Sequence, residues 1–178
     1  MKTIDKYLFQ ALDNYPYWLE GTIESLDYAF SYNNTNTMVL CLYGRIQAEQ
    51  LLNYEEAKSY FQQALSINIH ALEVYPYYLQ TLILNEDYGE AQKLIDFALT
   101  IKGINKSEIY VKKAILYEAR QKFKKALKEI KNAKICTLQS AFDSDITETE
   151  KRIQGKVDLL KKKKKPKKSK KDSKKKSK

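Results

Sequence analysis

Histidine, cysteine, proline and glycine are all scarce in this 178-residue chain, and each shortage removes a class of answer. A single histidine, His70, excludes any site that needs two imidazoles. Two cysteines, Cys41 and Cys136, cannot build a disulfide framework, so a reduced, cytoplasmic setting is the simplest expectation. Three prolines and five glycines leave long stretches without a breaker. No stretch approaches the ~18 apolar residues that span a membrane, and Met1–Asp5 holds no apolar run fit for a secretory signal. Phosphate-binding glycine loops, His-Glu-x-x-His and Gly-x-Ser-x-Gly are missing as well. The expectation is a soluble, ordered chain that is not an enzyme and takes no metal or cofactor.

What is present is charge, unevenly placed. The formal net charge is +10, yet residues 161–178 hold 13 lysines against one acid, Asp172. The other 160 residues carry 19 bases and 21 acids, a net −2. A near-neutral body therefore precedes a cationic segment, and anything inferred from the overall charge belongs to that segment. With 43% hydrophobic residues the body has enough apolar surface for one core, and a domain of this size buries about 70% of what its unfolded chain exposes.

The body repeats itself. Tyr54-Glu55-Glu56-Ala57, Tyr88-Gly89-Glu90-Ala91 and Phe123-Lys124-Lys125-Ala126 each place an aromatic ring three residues before an alanine. Seven residues after each of those alanines stands another, at Ala64, Ala98 and Ala133, with Phe61, Ile95 and Ile130 between. Leu19, Thr22, Leu26 and Ala29 form an earlier copy in which threonine fills the first alanine slot. The second-alanine series steps by 35, 34 and 35 residues. Positions i, i+4 and i+7 share one helical face, where small residues admit a neighbouring helix and the large one fills the gap beside it. Upstream of each copy lies a second periodic segment: Leu40, Tyr43 and Gly44; Tyr75, Tyr78 and Leu82; Tyr110, Ala114 and Tyr117. Asn53, Asp87 and Lys122 fall in the short turns between. Neither helix of such a unit buries its apolar face alone, so the units must stack.

This period and this signature resemble the tetratricopeptide repeat, in about four copies over residues 3–140. The resemblance implies an all-α solenoid of antiparallel helix pairs. The match is strongest over 37–70 and 72–105, and the first copy, 3–36, departs most, with Thr22 for alanine and Lys6, Gln10 and Asp13 at positions usually apolar or small. Family members line a concave groove with the first helix of each unit and bind a peptide or protein partner there. Carried onto this chain, that role falls on Arg45 and Glu49, on Tyr77 and Gln80, and on Lys112 and Glu118. The carboxylate clamp of some members is not matched, because Cys41 and Arg45 stand where lysine and asparagine would be.

Around this core, Pro16 suits the first turn of a helix over 17–32. Thr147-Glu148-Thr149-Glu150 has the form of a capping box, and Ile146, Ile153, Val157 and Leu160 keep a helical spacing. The expected organisation is a repeat domain over 1–142, a capping helix over 143–160 and a disordered polybasic tail over 161–178. His70 is expected in a solvated turn and Cys41 in a packed helix face, and most of the 14 tyrosines in the core. The tail has neither arginine nor an aromatic ring. Lys161, Lys162, Lys163, Lys164, Lys165, Lys167, Lys168, Lys170 and Lys171 could thus hold a nucleic acid or another polyanion without reading its sequence. The leading expectation is a protein–protein scaffold of unknown partner. The rival is an RNA- or ribosome-associated protein that uses the tail.

Overall fold

The structure is a computed structural model and describes residues 5–137 and 143–163. Among them there are nine helices and no strand: α1 (Lys6–Asn14), α2 (Leu19–Tyr32), α3 (Thr37–Glu49), α4 (Tyr54–Ile67), α5 (Val74–Leu84), α6 (Tyr88–Ala98), α7 (Lys106–Ala119), α8 (Phe123–Cys136) and α9 (Asp143–Lys163). None of these is long and apolar enough to cross a membrane.

Local chemistry explains where several helices start. The side chains of Asp5, Asn36, Asn53 and Asn105 accept backbone N–H groups in the first turns of α1, α3, α4 and α7. Each satisfies a donor that the helix itself leaves orphaned. The turns inside three of the pairs share one build. Leu52, Glu86 and Gln121 adopt φ of 54°, 61° and 57°, each two residues before the next helix begins. These positions are 34 and 35 residues apart, so the backbone repeats with the sequence. The connection between α1 and α2 is different. Pro16 lies in it rather than in the first turn of a helix, and α2 begins at Leu19, two residues later than the expected start.

The packing follows the signature. Thr22, Leu26 and Ala29, with their counterparts in α4, α6 and α8, are all fully buried. Thr22 keeps its hydroxyl satisfied in an alanine slot by donating to the Trp18 carbonyl at 2.8 Å. Helices pack in consecutive order from α1 to α9, and α1, α3, α5, α7 and α9 also pack each on the next. This gives a repeat-like helical stack with an odd-numbered layer in continuous contact. At its C-terminal end Ile146 and Ile153 of α9 bury themselves against Ala114, Ala126, Ile130 and Ala133.

Two expectations about this end change. Helix α9 begins at Asp143, so Thr147–Glu150 lies inside the helix, and Thr149 is buried rather than capping. The helix also continues past residue 160 to Lys163, which makes Lys161, Lys162 and Lys163 helical. Lysine is a good helix former, and no breaker intervenes before Pro166. Residues 138–142 and Lys164, Lys165, Lys167, Lys168, Lys170 and Lys171 lie outside the described residues.

Candidate functional site

The odd-numbered layer brings five of the six predicted groove residues onto α3, α5 and α7 in a connected series. At its centre the Arg45 guanidinium stacks between two rings, 4.2 Å from the centroid of Tyr77 and 4.6 Å from that of Tyr15. Glu49, one helical turn beyond Arg45, accepts a hydrogen bond from the Tyr15 hydroxyl and lies 3.5 Å from Arg45 Nε. Burial, reinforced by that bond to Glu49, pushes the Tyr15 phenol up to about 12. Burial likewise raises the Tyr77 phenol, with the Arg45 charge opposing. Each ring face therefore meets a cation held in a fixed orientation, a contact worth about 0.5–2 kcal/mol.

The series continues one turn along α5. Gln80 Oε1 accepts a hydrogen bond from Lys112 Nζ at 3.0 Å, tying α5 to α7. Burial pulls the Lys112 ammonium below its ordinary range, against the nearby acids Glu108, Asp145 and Glu49. Burial also raises the Glu108 carboxyl, against Lys112. Both groups line a small cavity of about 70 Å³ that Asp145 and Ile146 of α9 close from the other side. Two partly desolvated cations, Arg45 and Lys112, thus share one surface with Tyr77 and Gln80. That surface can meet a carboxylate or the polar edge of a peptide.

The sixth residue does not belong to it. Glu118 is only 6% exposed and is taken up by α9, with Arg152 Nη2 at 2.9 Å and Lys156 Nζ at 2.7 Å. Burial opposes its charge, but the hydrogen bonds from Arg152 and Lys156 outweigh burial and hold the carboxyl below its ordinary range. In this fold Glu118 fastens a helix.

Tyr15 was the residue that the sequence did not single out. It ends α1 in the copy that fits the repeat least, and it meets Arg45 only because α1 packs on α3. His70 is exposed in a turn, with its backbone N–H bonded to Asn68 Oδ1. Cys41 is buried, and burial pushes its thiol up to about 12, so it stays protonated at neutral pH. The tyrosines divide by location: Tyr75 and Tyr78 are buried, Tyr54, Tyr88, Tyr110 and Tyr117 half-buried, and Tyr7, Tyr17, Tyr28 and Tyr32 exposed on the first helix pair or beside it. Neither a protein-family model nor a curated protein matches this sequence.

Proposed function

We propose that the chain is a tetratricopeptide-type scaffold that binds a peptide or protein segment along the face of α3, α5 and α7. The observation that carries this reading is the Tyr15–Arg45–Tyr77 stack, continued by Gln80 and Lys112. A cation clamped between rings loses little side-chain freedom when a partner arrives, which favours binding by preorganisation. Arg and Tyr are also the side chains that most often dominate interface energetics. Contact along the odd layer, without comparable contact among α2, α4, α6 and α8, supports a stack that curves toward this face. A segment with a carboxylate opposite Arg45 or Lys112 is the partner chemistry that fits. The unpaired cysteines suit a reducing compartment.

The test is a selection of random displayed peptides on the full chain, followed by titration of those recovered. Tyr77→Ala and Arg45→Ala should each weaken the selected peptides by tenfold or more at unchanged helix content. Peptides that bind both variants as tightly as the wild type would place the interaction elsewhere and end this reading.

A further inference from the structure

A second cavity lies far along the chain from this face, between the start of α8 and the end of α9. It is a cleft of about 400 Å³ whose apolar lining comes from Phe123, Val157 and Leu160. Lys122, Lys124, Lys125 and Lys161 surround it. Lys161 pairs with Asp158 at 3.3 Å, but none of the ion pairs among the described residues uses Lys122, Lys124 or Lys125. Leu159 and Leu160 are both exposed although they are large and apolar. Helix α9 ends at Lys163, two residues beyond Lys161, and residues 162–178 of the sequence hold 12 further lysines.

We propose that this cleft and its lysine rim dock the protein on an anionic phospholipid bilayer. The apolar lining and the cationic rim ask for one ligand that offers both negative charge and hydrocarbon at the same surface. A headgroup layer over acyl chains does so. A nucleic acid would satisfy the lysines and leave Val157, Leu160 and Leu159 in water. Interfacial binding of this kind combines shallow apolar insertion with attraction to anionic lipid. Each lysine near such a leaflet multiplies affinity about fivefold, so a few suffice. The site is independent of the peptide-binding face, because the two share no residue.

Vesicles of phosphatidylcholine with about 30% phosphatidylserine, floated with full-length protein near 0.15 M salt, provide the probe. The wild type should float with these vesicles and stay behind with pure phosphatidylcholine. Leu159→Ser combined with Leu160→Ser should weaken binding about tenfold with helix content unchanged. Reversing Lys122, Lys124 and Lys125 to glutamate should weaken it by at least as much. Tyr17→Ser, at the other end of the molecule and 94% exposed, should change nothing. In addition, Leu159→Trp should shift its emission to the blue on the anionic vesicles alone. Equal binding by the double-leucine variant, equal flotation with both vesicle types, or an unshifted Leu159→Trp would each overturn the proposal. Tight RNA binding that is indifferent to the leucines, without flotation, would overturn it in favour of a nucleic-acid role for the lysines.

Discussion

At the N-terminal end of the stack Phe9, Tyr17, Trp18 and Tyr32 face solvent, whereas at the C-terminal end α9 closes over Ala126 and Ile130 with Ile146 and Ile153. The two ends also differ in sign. Residues 1–105 carry six bases and thirteen acids, a net −7, while residues 106–160 carry thirteen bases and eight acids, a net +5. The near-neutral body is therefore polarised along its length, a property its total hides. One end is fastened by ion pairs from a further helix, Lys134 to Glu150 and Arg152 and Lys156 to Glu118. The other relies on the short helix α1 and its own apolar core of Leu8, Ala11 and Tyr15.

Truncating a residue at each end should separate a covered end from an open one most clearly. Ile153→Ala removes a fully buried side chain from beneath α9 and should cost about 2–5 kcal/mol in urea unfolding. Tyr32→Ala at the open end should stay within about 0.5 kcal/mol. Equal costs would mean that α9 does not share the cooperative core.

Two helical glycines sharpen the same contrast. A methyl group on Gly44 would fall 2.6 Å from the ring of Phe61, and one on Gly21 would fall 2.6 Å from the ring of Trp18. Phe61 is 0% exposed and cannot withdraw, but Trp18 is 57% exposed and can swing outward. Overpacking at Gly44→Ala, about 1–3 kcal/mol, should exceed the ~1 kcal/mol gain in helix propensity. Gly21→Ala should be neutral or slightly stabilising. Thermal melts of the pair would reverse this account if Gly21→Ala proved the more harmful.

Acid should loosen the C-terminal end. The Glu118 carboxyl is held below its ordinary value of 4.5, so its contribution is complete above that value and is lost as pH falls through the lower, folded one. A charge-assisted contact of this kind is worth about 1–2 kcal/mol. Glu118→Gln should lower stability by that amount at pH 7 and flatten the part of the wild type's loss that sets in as pH falls below 4.5. A wild-type profile as flat as the variant's would remove the ion pairs from the fastening of α9.

The smallest effect belongs to the turns. Leu52 is largely exposed and sits at φ 54°, a region where glycine is at ease and a branched side chain is not. Leu52→Gly should stabilise by about 0.5–1 kcal/mol in a denaturant melt, and a loss of that size would show that Leu52 has a packing role.

Much of the fold was legible because it is written in volume and period. Alanine at two positions of one helical face and a bulky residue between them predict close helix crossings, and those positions are the buried ones. The departures arose where a local pattern met a competing use. Thr147–Glu150 has the form of a helix start, yet the backbone is already helical from Asp143, and Ile146, just before Thr147, is buried on the same helix as Ile153. Glu118 occupies a position that the repeat resemblance assigns to the groove, yet α9 covers it.

The sequence by itself determined the repeating unit, its small and large core positions and the concentration of lysine after residue 160, because each follows from residues within one or two helical turns or from composition alone. The tertiary structure decided that Tyr15 would face Arg45, that Glu118 would meet Arg152, and that Phe123 would share a cleft with Leu160. Those partners are 30, 34 and 37 residues apart, on helices whose own periodicity gives no sign of the neighbour. The physical reason is that burial and ion pairing depend on which helix covers which. That choice is made by packing across the whole stack, which no single segment encodes.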